Sequence, residues 1–452
     1  MKKSFLLASM MTALLLTACG GNGASGGNSN SPSGNNSDSA PIGDSSAIPP
    51  VDQKITLVDP EDTSMLSSNC KAYIDDMRAL RDAEENPYKY HEISLNIEDS
   101  EKGYLDTGDV NGQNRTVNGQ IPDRSDKSQG VELKFNVEDG FEAEEYKVLL
   151  SEDDSFSNPK ELAVSDNKAV ARNLLVNKEY YWKVVADEEE SAVGTFTTGD
   201  YPRWILARSL TGEEGGRGIY NVRDMGGYMT ESGERVKQGL VFRGGEITTM
   251  SSNGHYNTIT EVAKKAFRED MGMVGGVELD LRGASDISDG YKANGFAENG
   301  DLEYQQYAIK SYEQTFTQTR SMVAPIFEIL KNADKKPVYY HCFGGADRTG
   351  TIGFLLNGLL GVSYEDLVID FELTSYSSIN NEHIRNHLDG HQHKYDRWPA
   401  LINQLKTDTT GGYAWDANAL LKDNIEDFLV KACSVPQATI DTVRDIMLEP
   451  AE

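Results

Sequence analysis

The stretch Val338-Tyr339-Tyr340-His341-Cys342-Phe343-Gly344-Gly345-Ala346-Asp347-Arg348-Thr349-Gly350 decides the fold of this 452-residue chain. It begins as an apolar run of residues that favour β-strands and ends that run at Cys342. A turn containing glycine follows, and the apolar segment after it predicts a helix from about Thr349 to Leu360. The order is therefore strand, short loop and helix N-terminus.

A loop in this position suits a bound anion. We expect the backbone N–H groups from Phe343 to Arg348 to point inward, because Gly344 and Gly345 carry no Cβ to obstruct the turn. The positive end of the following helix dipole favours negative charge at the same place. Arg348 comes six positions after Cys342, so its guanidinium group can bind two oxygens of a phosphoryl group. The same electrostatic field would lower the pKa of Cys342 towards a thiolate.

Two flanking side chains complete the pattern. His341 can orient the loop through hydrogen bonds, and the Thr349 hydroxyl can stabilise the sulfur as a leaving thiolate. With Cys342 as the thiolate, these groups indicate nucleophilic catalysis on a phosphate ester. The alternative is a small buried cysteine in a structural turn, which does not explain why Arg348-Thr349-Gly350 follows.

The motif His-Cys-x5-Arg-Thr-Gly resembles the signature loop of the cysteine-dependent tyrosine phosphatase superfamily, and we call residues 342–348 the signature loop. The stretches Asn221–Tyr228, Gly239–Arg243 and Leu279–Arg282 resemble, in the same order, the motifs of the bacterial tyrosine phosphatase family. That family includes secreted mycobacterial and listerial phosphatases with dual protein and phosphoinositide activity. The similarity covers roughly Arg203 to Leu448, and it implies an α/β domain with a central, mostly parallel sheet flanked by helices.

The resemblance also implies roles for the loop. Cys342 would attack phosphorus and form a phosphocysteine, while Arg348 and the loop N–H groups stabilise the charge on the equatorial oxygens. The residues that the resemblance places around the phosphate are His341, Phe343, Gly344, Gly345, Ala346, Thr349 and Gly350. This chemistry requires no metal and no other cofactor.

A carboxylic acid must protonate the leaving oxygen and then activate water. Asp347 is the first candidate, because related proteins carry Asp at this loop position; a helix N-cap role is its alternative. Asp280 is the second candidate. Asp286 and Asp289 follow on a loop that could swing over the site. The sequence does not decide among these four residues.

Arg223 is a candidate for substrate binding, although we favour a role in which Arg223 and Asp224 brace the signature loop from beneath. In that arrangement Gly226 and Gly227 would allow close packing. One departure from the family pattern concerns Ala346, because related proteins that act on phosphoinositides commonly have Lys at this position. The loss of that cation favours phosphotyrosine or a small aryl phosphate as substrate, with a phosphoinositide or inositol polyphosphate as the alternative.

The N-terminus has the pattern of a bacterial lipoprotein. Lys2 and Lys3 precede an apolar run from Phe5 to Leu16, and Leu16-Thr17-Ala18-Cys19 is similar to a lipobox. We expect residues 1–18 to be a signal peptide and Cys19 to carry the lipid that anchors the protein to the outer side of a bacterial membrane. An ordinary secretory signal or a short membrane anchor is the alternative. Residues 19–50 are rich in Gly, Ser and Asn, which predicts a flexible tether.

Between the tether and the catalytic domain the patterns are those of β-structure. Residues 51–103 form a segment with one helix predicted from Ser67 to Ala83, and residues 104–199 are similar to a fibronectin type III domain. Its predicted strands include Val131–Phe135, Tyr146–Leu150, Tyr180–Val185 and Val193–Thr198, and its first strands begin near Glu92 or near Tyr104. We expect a spacer or docking platform, with sugar or protein binding as the alternative. The overall fold class is thus multidomain, a β-sandwich followed by an α/β cysteine-phosphatase domain over residues 201–452.

The net charge and the pattern of histidines and cysteines argue against nucleic-acid binding and against a metal site. The net charge of −29 argues against binding to nucleic acid or electrostatic adhesion to anionic lipid. A group of histidines suggests a metal site, but Gly390 would interrupt their helix and no cysteine completes the set; they are His383, His387, His391 and His393. Cys70 and Cys433 lie in different predicted domains, so we expect them to be free or buried.

One alternative of another class remains. The domain could bind phosphate ligands or act in adhesion without turnover, although the intact His341, Cys342, Arg348 and Thr349 argue for catalysis.

Overall fold

The computed structural model describes residues 54–81, 129–206, 219, 221–247, 249–250, 256–257, 261–287, 301–376 and 397–451. The predicted signal peptide, Cys19 and the tether lie outside these residues, as do Asp289 and the histidine group from His383 to His393. Within the described part of the chain, no helix combines the length and the apolar character that crossing a membrane requires.

The strands in chain order are β1 Ile55–Val58, β2 Val131–Val137, β3 Tyr146–Ser151, β4 Lys160–Ala163, β5 Lys168–Ala171, β6 Glu179–Ala186, β7 Glu189–Glu190, β8 Gly194–Thr197, β9 Trp204–Leu206, β10 Val222–Asp224, β11 Glu234–Val236, β12 Val241–Gly244, β13 Thr249–Met250, β14 Tyr256–Asn257, β15 Gly276–Asp280, β16 Leu302–Gln306, β17 Val338–His341 and β18 Leu448–Pro450.

The helices are α1 Ser68–Arg81, α2 Glu261–Lys265, α3 Glu313–Gln318, α4 Val323–Leu330, α5 Asp347–Leu360, α6 Tyr364–Glu372, α7 Arg397–Thr407, α8 Leu421–Asp427 and α9 Gln437–Met447. Two π-helical segments, Ala266–Asp270 and Phe428–Ala432, continue α2 and α8.

The C-terminal half is built on a six-stranded sheet with the order β16-β15-β17-β12-β10-β9. The four strands β16, β15, β17 and β12 run parallel to one another. At the edge of the sheet, β10 pairs antiparallel with both β12 and β9. This topology confirms the α/β domain with a mostly parallel sheet. The strand that leads to Cys342 is β17, which lies between β15 and β12 in the interior of the sheet.

The apolar run of β17 reflects burial on both sheet faces. Val338 and Tyr340 pack into the larger hydrophobic core with α4 and α5, while Tyr339 packs on the opposite face against Phe242 and Phe267. A parallel strand covered on both faces needs no polar alternation, which is why this segment is continuously apolar. Its carboxyl end therefore emerges from a rigid part of the domain.

The N-terminal half contains two antiparallel sheets around one hydrophobic core. One sheet has the order β1-β2-β5, and the other has the order β4-β3-β6-β7 with β8 also paired to β6. Side chains from both sheets form a single cluster around the buried Trp182. Alternation in β2 and β6 places every second residue in this core, as the sequence pattern predicted.

The segment before this β-domain does not stand apart from it. The first described strand, Ile55–Val58, pairs antiparallel with Val131–Val137, whereas the predicted starts near Glu92 and Tyr104 lie outside the described residues. Helix α1 lies in the predicted position, but its Cys70 and Ile74 are buried in the core of the α/β domain. A short strand and an amphipathic helix cannot bury their own apolar faces, so each joins a different domain.

The junction between the β-domain and the α/β domain is buried and hydrogen-bonded. Arg203, which follows Pro202, donates to the carbonyls of Leu174 and Asn173 in the β-domain at 3.1 and 2.7 Å. It also forms a 2.8 Å ion pair with Asp224 of β10. One arginine thus connects the two halves of the molecule.

The two described thiols outside the signature loop are buried in the protein core. Cys70 and Cys433 are buried, and neither forms a disulfide bond with a described residue. Both lie in the core of the α/β domain and not in different domains as predicted, because α1 packs into that core. Burial raises the pKa of the Cys433 thiol to about 12, which makes it unreactive.

Candidate active site

The candidate site lies where β17 ends and α5 begins. Cys342 directly follows β17 and is 3% exposed. Gly345 adopts a φ of +65°, and a Cβ atom on it would lie 2.4 Å from the backbone of Gly244 in β12. Glycine is therefore required at this turn by both conformation and space.

The signature loop is held from behind through its carbonyl groups. The Asn221 side chain donates to the carbonyl oxygens of Gly344 and Gly345 at 3.1 and 3.2 Å. Arg243 donates to the Gly345 carbonyl at 2.8 Å. These bonds hold the Gly344 and Gly345 carbonyls on the inner side of the domain.

Arg223 belongs to this support and does not bind substrate. Its side chain is completely buried, donates to Asp370 of α6 at 3.2 Å and to Asn221, and lies over the Trp204 ring. Asp370 also pairs with Arg243, so one buried carboxylate holds two arginines. The substrate-binding role considered for Arg223 is therefore wrong, because no part of its guanidinium group is exposed.

The glycines of the same motif act as expected. A Cβ on Gly226 would lie 2.1 Å from the Lys237 carbonyl oxygen, and Gly227 has a φ of +95°. The Asp224 carboxylate accepts hydrogen bonds from the N–H groups of Gly226 and Gly239 and from the side chain of Arg203. Its role is thus to join the motif to the domain junction.

Asp280 lacks the properties of a proton donor. Its buried carboxylate accepts four hydrogen bonds, three from Arg282 and one from the Tyr304 hydroxyl. Burial alone would raise the pKa of Asp280, but the charges of His341 and Arg282 hold it below its ordinary value. Asp280 is consequently ionised and fixed, and it positions Arg282 against Glu246.

Glu246 in turn connects this support to the loop. Its backbone N–H donates to the Phe343 carbonyl at 3.0 Å, and its carboxylate accepts from Arg282 at 2.5 Å. Together with Asn221 and Arg243, it accounts for the orientation of three consecutive loop carbonyls.

His341 orients the backbone and is fully buried. Its Nδ1 lies 3.0 Å from the Cys342 carbonyl oxygen and its Nε2 lies 3.1 Å from a Glu278 carboxylate oxygen. Burial alone would lower the pKa of His341, but the charges of Asp280 and Glu278 raise it above its ordinary value. Both ring nitrogens face acceptors, which an imidazolium satisfies by donating twice.

The Cys342 thiol is activated by its neighbours. Burial alone would raise its pKa, but the Arg348 charge and the hydroxyl and N–H of Thr349 bring the pKa below its ordinary value. The Thr349 hydroxyl is buried and, within the described residues, makes no conventional hydrogen bond, although it is near enough to act on the sulfur. It is therefore available to a thiolate.

Arg348 is the cation at the mouth of the loop. It forms a 2.5 Å ion pair with Asp286, and the two side chains are 18% and 40% exposed. Burial alone would lower the pKa of Arg348, but the nearby Cys342 and Asp286 raise it. A carboxylate therefore lies on the guanidinium group that an incoming phosphate would need.

Asp347 is the first residue of α5 and not its cap. The N-cap position is Ala346, which makes no side-chain capping bond. Asp347 instead accepts a 2.6 Å hydrogen bond from the Tyr312 hydroxyl, and its charge acts on the pKa of Cys342. The structure thus brings Asp347, Arg348 and Cys342 together.

The remaining loop residues carry no charge. Ala346 is buried, Phe343 is partly exposed, and Gly350 lies buried within α5. Within the described residues, no group of three or more His, Cys, Asp or Glu side chains could hold a metal ion.

The residues that sequence reasoning missed are Asp370, Glu246 and Tyr312. Asp370 had one detectable signal, because an acid inside the apolar run Leu367–Phe371 requires a buried partner. The other two lie in segments without a motif.

Comparison with known proteins agrees with this geometry. A profile of the tyrosine phosphatase family matches residues 216–449, just over half of the chain. No relative among curated protein sequences matches it. Among solved structures, the chain is similar to the core catalytic domain of the PP-IP phosphatase SIW14 from S. cerevisiae in complex with citrate, at 14% identity and a TM-score of 0.24, over 38% of this chain and 91% of that chain. A TM-score this low adds nothing to the assignment. The family match is sufficient: the chain belongs to the tyrosine phosphatase family and is a phosphatase.

Proposed function

We propose that this protein hydrolyses phosphate monoesters, phosphotyrosine in particular, through a phosphocysteine at Cys342, on the outer face of a bacterial membrane. The observation that supports the mechanism most strongly is the buried Cys342 thiol with a lowered pKa beside the Arg348 guanidinium group. A thiolate, a cation and inward N–H groups at one loop are what phosphoryl transfer to sulfur needs.

In the first step, the Cys342 thiolate attacks phosphorus. The S–P bond forms while the bond from phosphorus to the ester oxygen breaks, and Asp347 gives its carboxyl proton to that oxygen. Arg348 and the loop N–H groups bind the equatorial oxygens. The products are the free alcohol, the phosphocysteine and an Asp347 carboxylate.

In the second step, the Asp347 carboxylate takes a proton from water, and the water oxygen attacks phosphorus. The S–P bond breaks and the electron pair returns to Cys342, where Thr349 stabilises the thiolate. Inorganic phosphate leaves, and the site is restored.

Asp347 suits the acid role better than its competitors. Asp280 is locked in four hydrogen bonds. Asp286 lies on Arg348, where the substrate phosphate must bind. Asp347 sits one residue from Arg348 with its charge felt at the Cys342 sulfur. The competition with Asp289 is decided by the experiment below, in which each aspartate is replaced singly by Asn.

The charge of the described site favours a substrate with one phosphate. Arg348 is partly exposed, whereas Arg223, Arg243 and Arg282 are at most 2% exposed and each is paired with a carboxylate. Ala346 adds no cation. Of these four arginines only Arg348 is accessible to an inositol headgroup with several phosphates, so such a headgroup is the second candidate.

The location rests on the N-terminal pattern. Lys2 and Lys3, the apolar run and Cys19 in a lipobox-like sequence support a lipid anchor, and the Gly/Ser/Asn-rich tether supports display away from the bilayer. We also propose that the β-domain is of the fibronectin type III kind and acts as a spacer, supported by its two antiparallel sheets around a buried Trp182.

The test is turnover of para-nitrophenyl phosphate by residues 52–452, which retain β1 and α1, in the presence of EDTA and reductant. Wild type is compared with Cys342→Ser and with single Asn variants of Asp347, Asp286 and Asp289. We expect activity in wild type and none in Cys342→Ser. A folded wild type that binds phosphopeptide without turnover would instead support a binding module. A panel of phosphotyrosine peptides and phosphoinositides then tests substrate choice, and faster turnover of phosphoinositides would overturn the preference stated here.

A further inference from the structure

We propose that Tyr312 is a positioning residue for the proton-transfer step, acting through its hydrogen bond to Asp347. This inference rests on the proposed function, in which Asp347 is the proton donor. Tyr312 lies on the chain between β16 and α3, in none of the motifs that identify the family.

The contact itself is short and sheltered. The Tyr312 hydroxyl donates to Asp347 Oδ1 at 2.6 Å, and Tyr312 is 3% exposed. Its ring packs edge-on against Phe371 of α6, with centroids 6.0 Å apart. The hydroxyl therefore reaches Asp347 from a packed ring whose rotation is restricted.

A second contact fixes the same two residues through the backbone. The Tyr312 N–H donates to Thr351 Oγ1 at 2.9 Å, and the Thr351 hydroxyl donates to the Asp347 carbonyl at 3.0 Å. Tyr312 thus holds Asp347 at its carboxylate directly and at its carbonyl through Thr351. Two independent bridges to one residue define its orientation better than one.

The chain adopts an unusual conformation to make these contacts. Tyr312 has a φ of +52° and a ψ of −131°, which a residue with a bulky side chain rarely adopts. Such conformations persist where the surrounding structure demands them and are common at functional sites. Here the conformation turns the ring towards the first turn of α5.

The consequence concerns where the proton sits. Because Asp347 Oδ1 accepts the hydrogen of the Tyr312 hydroxyl, the carboxyl proton belongs on Oδ2. The proton is therefore held on the side of the carboxyl group away from Tyr312. Removal of the hydroxyl takes away this restraint on the carboxyl group and removes a donor that favours the carboxylate. Esters with poor leaving groups depend most on protonation, so they will show the loss most clearly.

The experiment compares wild type, Tyr312→Phe, Asp347→Asn and the double variant on para-nitrophenyl phosphate and on phenyl phosphate. We expect Tyr312→Phe to lower kcat for phenyl phosphate about tenfold and for para-nitrophenyl phosphate by less than threefold. The basic limb of its kcat profile should move to higher pH. In the Asp347→Asn background, Tyr312→Phe should change little further, because the two act as a unit.

Tyr201→Phe is the matched control, since the Tyr201 hydroxyl donates to the Asp75 carboxylate at 2.8 Å on α1. We expect any change in kcat caused by Tyr201→Phe to be the same for both esters. Equal losses on both esters, or a full additional loss in the Asp347→Asn background, would overturn the role of Tyr312. Failure of the proposed function is distinguishable, because wild type would then show no turnover or Asp347→Asn would show no leaving-group dependence.

Discussion

The outer and inner faces of the signature loop both use arginine and aspartate, but to different ends. On the outer face, Arg348 and Asp286 form an ion pair that is partly exposed to solvent. On the inner face, Arg223 and Arg243 share Asp370 with no exposed guanidinium surface. An exposed pair is weak and can be exchanged for a phosphate, whereas a buried one is costly to break. Burial therefore separates the arginine that binds substrate from those that hold the loop.

The largest expected effect is on the outer face. Arg348→Ala should lower kcat/KM for para-nitrophenyl phosphate by about a thousandfold, because the charge on the transferring phosphoryl group loses its cation. Thermal unfolding should change little, since the pair with Asp286 is partly exposed. A large loss of stability would show that the outer arginine is also structural.

The inner face should behave in the opposite way. Asp370→Ala leaves two buried arginines without their shared carboxylate and should lower the free energy of unfolding by about 3–5 kcal/mol. Urea denaturation of residues 52–452 measures this loss. A variant with unchanged stability would mean that the inner network is not required for the fold.

A smaller effect is expected where the inner face meets the loop. Asn221→Ala removes two hydrogen bonds to the Gly344 and Gly345 carbonyls. At about 1 kcal/mol each, the two bonds correspond to a fall in kcat of about thirtyfold, while KM should change less. Asn221→Asp, which cannot donate to these carbonyls, should not restore activity. If it did, the orientation of the carbonyls would not be the cause.

The pH dependence tests the thiol. Activity requires the Cys342 thiolate, so it is lost as the pH falls through the thiol pKa, which Thr349 helps to lower. Thr349→Val removes the hydroxyl, raises that pKa and should move the ascending limb of the kcat/KM profile to higher pH. Thr349→Ser retains the hydroxyl and should restore the wild-type limb. If the ascending limbs of wild type, Thr349→Val and Thr349→Ser coincided, the Thr349 hydroxyl would have no effect on the thiol pKa.

The smallest effect is expected at Asp286. Its removal frees Arg348 of a competing carboxylate, so Asp286→Asn should bind inorganic phosphate two- to fivefold more tightly, as expected for a partly exposed pair. Competitive inhibition of para-nitrophenyl phosphate turnover measures this change. Weaker phosphate inhibition would show that Asp286 orients Arg348 for the substrate.

Local patterns were enough for the parts of the molecule that local chemistry controls. The apolar run, glycine turn and arginine spacing of residues 338–350 predicted the strand, loop and helix in their observed order. Alternation predicted β2 and β3, because side chains on one face of a strand share one environment. The aromatic and β-branched run predicted β6. These features depend on residues a few positions apart.

The tertiary structure decided the rest, because it depends on residues far apart in the chain. Arg223 and Asp370 are separated by 147 positions, and Tyr312 and Asp347 by 35. No periodicity shows that Arg223 is buried, that Asp280 is locked by Arg282, or that Tyr312 reaches the loop. The sequence by itself therefore determined the chemistry of the loop, whereas only the packing of distant segments decided which charged residues face the substrate and which ones hold the loop in place.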